Sequence, residues 1–174
     1  MSRWLGVALV GWAWWMAGCQ AGPRTTTAPA FDASAVQTYA WDPAGNLEMG
    51  VVPRNAAAVD AAVVTGVEAH LAALGWKEVS DRGADVWVSY FVAAGDRQKV
   101  TETGTMRIAG ETAVVPVETV RLREGRLVIQ VVEPLTREVW WEAEGTRSRE
   151  GVPSEDAVGT EVSTAVAAMM RRLR

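Results

Sequence analysis

The chain has one cysteine, one histidine, two phenylalanines and two tyrosines among its 174 residues. A lone cysteine allows no internal disulfide, so the fold must rest on its hydrophobic core. The lone histidine, His70, would have to carry any Ser-His-Asp or Cys-His arrangement by itself. On a helical wheel it falls beside Val59 and Val63, the place of a partly buried structural histidine. A zinc site usually draws several His or Cys ligands, so metal binding through nitrogen and sulfur is excluded. A calcium loop needs a dense Asp/Asn pattern with glycine, which is missing too. The stretch from Gly104 to Gly110 does not end in the Gly-Lys-Ser/Thr of a phosphate loop. Basic residues are outnumbered, 17 Lys and Arg against 21 Asp and Glu. That balance argues against nucleic acid, whose affinity comes chiefly from cations neutralising phosphates. The longest apolar run, at the N-terminus, stops at Cys19, short of the ~20 residues of a membrane span.

That short run is informative because of how it ends. Arg3 supplies a positive n-region, Trp4 to Met16 an apolar h-region, and Ala17 and Gly18 the small residues that a signal peptidase accommodates. Met16-Ala17-Gly18-Cys19 thus reads as a bacterial lipobox, with cleavage before Cys19 and acylation of that residue. Residues 1–18 are then a signal peptide, carrying four of the nine tryptophans, and 156 residues remain with 16 basic and 21 acidic side chains. This is one domain's worth. Several acyl chains hold a protein almost irreversibly, where a single one holds only marginally, so the expected partner is the membrane itself, through the anchor on Cys19. Gln rather than Asp follows the cysteine, which by the sorting rule of enteric lipoproteins points to the outer membrane. Residues 19–30, rich in Thr, Ala and Pro, read as the acylated cysteine and a flexible tether, with the periplasmic domain over 31–174.

The domain opens with an alternating stretch, Val36 to Trp41, that reads as a strand ended by the turn residues Asp42-Pro43-Ala44-Gly45-Asn46. Asn55 is a candidate N-cap for a helix from Ala56 to Leu74, closed by Gly75. Val59, Val63, Val67, Leu71 and Leu74 share its inner side. Asp85 to Val92 reads as a strong strand. Thr101 to Met106 and Thr112 to Leu122 read as further strands, the latter with Pro116 hinting at an edge. Arg123-Glu124-Gly125 is expected to turn the chain into a central strand, Arg126 to Val132, before a last strand from Glu138 to Thr146. Ser154 caps a final helix with an acidic first turn and an arginine-rich end. The order strand, helix, strands, helix predicts an α+β two-layer sandwich, a mainly antiparallel sheet with both helices on one face.

These residues resemble a known family. Phe31-Asp32, Ser34, Thr38-Tyr39-Ala40-Trp41, Leu74-Gly75-Trp76, Ala84-Asp85 with Tyr90, Gly125-Arg126-Leu127 and Val139-Trp140 are similar to those of the bacterial lipoproteins of domain of unknown function family 4136. The likeness runs over about residues 31 to 173 and follows the family's order of elements. It departs from the usual residues at Val36, Glu133 and Glu142. The resemblance implies the fold above and carries no established activity.

Two functional readings compete. Alternation that turns Val86, Val88, Tyr90 and Val92 toward the helices turns Trp87 and Phe91 away, and the same argument on the last strand turns Trp140 away. Three large aromatics on an uncovered sheet face would form a candidate binding surface for an envelope protein, a glycan or an apolar ligand. The segment 95–120 could instead fold back over them as a second small core. The alternative function is an envelope glycan hydrolase using Glu138, Glu142 and Glu144, which a period of two sets on one face of the last strand. Three like charges there also suit a solvated face. The expectation is a noncatalytic binding or scaffold module without a cofactor, from which a purely structural role in the envelope is not separable by sequence.

Overall fold

A computed structural model describes residues 22–43, 56–80, 83–108, 111–150 and 154–174. Its elements are β1 (Arg24–Thr27), a single 3-10 turn (Ala33–Ala35), β2 (Thr38–Trp41), α1 (Ala56–Ala73), β3 (Lys77–Glu78), β4 (Val86–Ile108), β5 (Glu111–Val132), β6 (Val139–Glu150) and α2 (Glu155–Met170). The six strands form one sheet in the order β1-β6-β5-β4-β2-β3, in which β2 runs parallel to β3 and β4 and the other pairs are antiparallel. The expected α+β sandwich is what forms, with the two helices packed together.

The core lies between the sheet and the helices. From α1 come Val59, Val63, Val67 and Leu71, one per turn on a single stripe. The sheet contributes Val86, Val88 and Tyr90 from β4, Ile129 and Val131 from β5, and Trp141 and Ala143 from β6. From α2 and its end come Val166, Met169, Met170 and Leu173. By length and composition α1 could cross a membrane, but its apolar stripe is taken up by this core. The helices approach closely at Gly66, where a Cβ would stand 2.9 Å from Val166 Cγ1. A mid-helix glycine costs about 1 kcal/mol against alanine; here it permits the contact.

The ends of α1 and α2 follow the capping chemistry. Gly75, at φ +86°, closes α1, with Trp76 N–H donating to Leu71 O and Gly75 N–H to Ala72 O. These two bonds are a Schellman motif, which needs a left-handed residue at that place. Trp76 then buries its ring in the core and donates its indole N–H to Ala33 O at 3.2 Å. Ser154 caps α2 by accepting from Ala157 N–H. The Asn55 cap lies outside the described residues, as do Cys19 and the signal peptide.

Three expectations are corrected. Residues 24–27, assigned to the tether, form β1, paired with β6 from Arg24 opposite Glu144 to Thr27 opposite Trp141. Three consecutive threonines suit a pleated edge as well as a linker, and the outer edge of β6 needed a neighbour. Arg123-Glu124-Gly125 makes no turn. β5 runs through it, Gly125 opposite Ala94, so the separate strands expected over 101–106 and 112–122 are arms of one hairpin continuous with β4 and β5. Turn-type residues yielded here to the long β4 pairing. Residues 95–120 therefore do not fold back as a second core. They extend the ribbon to Ile108 opposite Glu111, with Pro116 beside a register shift, a position where the ladder tolerates a missing donor.

Candidate functional site on the open sheet face

Because Val88 pairs with Val131 on the helix side, the neighbouring pairs lie on the other face: Trp87 with Val132, Ser89 with Gln130, and Phe91 with Val128. No helix among the described residues covers this face. Even so, Ser89 is only 4% exposed and Val128 7%. They are the register neighbours of Trp87 and Phe91, which are themselves half-buried.

Above Trp87 sits a cation. The Arg137 guanidinium carbon lies 4.3 Å from the ring centroid, and the same side chain pairs with Asp42 at 2.6 Å. Arg137 holds a left-handed φ of 63°, a conformation that costs a non-glycine residue roughly 1–2 kcal/mol. The turn explains it: Arg137 N–H donates to Glu133 O, Glu133 N–H to Glu138 O, and Thr136 N–H to the Glu133 carboxylate. That last bond holds the Glu133 carboxyl below its ordinary pKa. The strained residue thus aims its side chain across the gap between the turn and the end of β2, onto Trp87.

Trp140 does not join Trp87 and Phe91. The register shifts between Val131 opposite Trp141 and Val132 opposite Val139, leaving Trp140 as the extra residue of a β-bulge. Its ring packs against Phe31 at 5.9 Å and on the main core, while its carbonyl accepts from Ala28 N–H at 2.7 Å. The same bulge removes Glu138 from the row of carboxylates. Only Glu142 and Glu144 remain on the open face, opposite Gln130 and Val128. Each has a partner: Gln130 Nε2 donates to Glu142 at 2.7 Å, and Arg126 Nε pairs with Glu144 at 2.9 Å. At the β1 end of the face, Gly22, Arg24, Glu144 and Thr146 line a hollow of about 160 Å³, below the ~300 Å³ usual for a small-molecule site.

Elsewhere, titratable groups serve structure. His70 is half-buried near the end of α1, and burial first, then the Arg171 charge, holds its pKa below the ordinary value. Among the described residues no group of three His, Cys, Asp or Glu side chains could hold a metal ion. Asp85 joins β2 to the start of β4: one carboxylate oxygen accepts from Thr38 Oγ1 at 2.8 Å, Gln37 N–H at 3.0 Å and Thr38 N–H at 2.8 Å. The Thr38 side-chain bond, then the two backbone bonds, lower its pKa from 3.8. A depressed carboxyl stabilises the fold above its unfolded pKa, and that contribution is lost as pH falls through the folded value. Asp85→Asn is therefore expected to flatten the acid limb of stability below about pH 4, measured as Tm against pH beside the unsubstituted chain. Parallel acid limbs would show that the clamp contributes nothing.

The sequence matches the family model described as Domain of unknown function (DUF4136) over residues 23–173. The chain belongs to the DUF4136 family. No curated protein matches it. Similar solved structures include the PelC dodecamer of Paraburkholderia phytofirmans, at 12% identity and TM-score 0.46, covering 86% of this chain and 97% of that one. A DUF4136 family protein of Bacteroides thetaiotaomicron matches at 12% identity and TM-score 0.44, over 86% and 91% of the two chains. Lipoprotein GNA1162 of Neisseria meningitidis matches at 11% identity and TM-score 0.38, over 75% and 95%.

Within this DUF4136 domain, Trp87 and Phe91 could be placed by alternation alone, since β4 is regular where they sit. Trp140 and Glu138 could not, because a bulge has no dependable sequence mark. Sequence reasoning also missed Arg137, whose importance lies in an unfavourable φ and a partner 95 positions away. The nearest signal was the turn chemistry of Glu133 to Thr136.

Proposed function

We propose that this DUF4136 chain is a bacterial lipoprotein, acylated on Cys19 and held at the periplasmic face of the outer membrane, whose domain is a noncatalytic binding module without a cofactor. The observation that carries the reading is the sheet face that no helix among the described residues covers, where half-buried Trp87 and Phe91 stand beside Gln130, Glu142 and the Arg137 guanidinium. Aromatic rings bordered by planar polar groups suit an envelope protein, a glycan or an apolar ligand. Glu142 and Glu144 fit such a border better than an acid–base pair, each being held by a neighbouring Gln or Arg.

A photoreactive residue in place of Phe91 in the acylated chain tests this in cells, with adducts identified by mass spectrometry. One dominant protein, glycan or lipid adduct is expected, reduced at least tenfold by Trp87→Ser while the circular dichroism spectrum is kept. No adduct from a probe shown to be solvent-accessible would remove the binding surface. Loss of the chain's cellular effect with Glu142→Gln and Glu144→Gln, but not with Trp87→Ser, would favour catalysis.

A further inference from the structure

The chain is acidic overall, with a formal net charge of −4, yet arginines gather where it enters the domain. Arg172 Nη1 donates to Thr25 Oγ1 at 3.2 Å, and Arg172 Nη2 lies 3.5 Å from where a Cβ on Gly22 would stand. Arg24 begins β1 two residues after Gly22, and exposed Arg171 and Arg174 flank Arg172 at the end of α2. Two acidic groups face β1: Glu144, opposite Arg24 and paired with Arg126, and Glu142, opposite Thr26 and bonded to Gln130. His70, on the neighbouring helix, is kept toward its neutral form by burial and Arg171. The end of the domain where the chain enters is therefore locally cationic.

Its distance from the membrane follows from the reading of Cys19 as the acylated residue, on which this step rests. Gly22 is three residues from Cys19, and three residues span at most about 11 Å. The surface field of anionic lipids falls off within a Debye length of ~8–10 Å. A tether this short keeps the Arg172 guanidinium within or at the border of that field, whereas a free linker of eleven residues could have reached ~36 Å.

We propose that Arg24, Arg171, Arg172 and Arg174 form a docking surface for anionic phospholipid headgroups. It seats the domain on the leaflet that holds its acyl chains and turns the acidic remainder away. The anchor supplies attachment; the arginines supply orientation.

The mature chain carrying Cys19→Ser, with no acyl group, tests the surface itself by co-sedimentation with phosphatidylglycerol vesicles and with phosphatidylcholine vesicles. At low salt it is expected to partition at least a hundredfold more onto the anionic vesicles, and to lose this at 0.5 M salt. Each arginine near an anionic surface is worth about fivefold in partition, so Arg171→Gln, Arg172→Gln and Arg174→Gln together should reduce binding by roughly a hundredfold. Single substitutions, each reducing partition by a few-fold, guard against misfolding of the triple variant. Equal or absent partition onto the two vesicle types overturns the proposal, as does a folded triple variant that binds like its parent. Because no acyl chain is present, neither outcome depends on whether Cys19 is lipidated.

Discussion

Trp141→Ala is expected to destabilise the domain by about 3–5 kcal/mol, and Trp141→Phe by much less. Trp141 lies on the helix side of β6, opposite Val131, and is 1% exposed. Truncation to alanine leaves a cavity beneath the helices that a rigid sheet cannot close. The indole N–H, however, is buried with no hydrogen-bond partner among the described residues, and an unsatisfied buried donor costs roughly 1–3 kcal/mol. Phenylalanine keeps most of the volume and removes that donor, so two effects of similar size oppose each other. Urea unfolding of the three proteins measures both numbers. Against a typical domain stability of ~5–15 kcal/mol, the alanine variant should show a clearly lower midpoint. A phenylalanine variant as unstable as the alanine variant would mean that the ring's shape, not its volume, holds the core.

The core around Trp141 was largely legible in the sequence, and the reason is physical. Val59, Val63, Val67 and Leu71 repeat with the helical period, and Val86, Val88 and Tyr90 with the strand period, so each pattern names its buried side before any partner is known. The family fragments gain meaning once the chain is folded. Thr38 from one fragment is bonded to Asp85 from another. Leu74-Gly75-Trp76 closes α1 and carries the Trp76 indole to Ala33, between Asp32 and Ser34. Asp32 in turn accepts from Ser34 N–H and Oγ and starts the 3-10 turn. Separated short motifs are thus the two sides of a few long-range contacts.

What was not legible depends on pairing rather than pattern. One extra residue in β6 moves Trp140 from the open face to Phe31 and breaks the row of three glutamates. Gly125 reads as a turn in isolation, but opposite Ala94 it is a strand residue with open space beside it. β1 reads as a linker until β6 presents an edge. In each case local propensity is weak, about 1 kcal/mol at most for strand positions, and a ladder of many backbone bonds outweighs it.

Cys19→Ser is expected to move the chain from the membrane fraction to the soluble fraction or to leave it as an uncleaved precursor. Each buried methylene contributes about 0.8 kcal/mol to membrane binding, so the two or three acyl chains proposed for Cys19 would outweigh anything the polypeptide can add, and their loss would dominate every other substitution. The arginine surface near Gly22 bears on the residual binding: four cations together are weaker than one additional acyl chain and are screened by salt. Fractionation at low and high salt separates the contributions. If Cys19 is acylated, the unsubstituted chain stays with membranes at 0.5 M salt and partitions into detergent, whereas the processed Cys19→Ser chain binds, if at all, only at low salt. Retention of that processed chain, which has lost residues 1–18, in the membrane fraction at high salt would mean that acylation of Cys19 is not the anchor, and would move the search for one to the domain surface. A Cys19→Ser chain retained only as a precursor would instead show that cleavage itself requires the cysteine, as expected of a peptidase that reads Met16-Ala17-Gly18-Cys19.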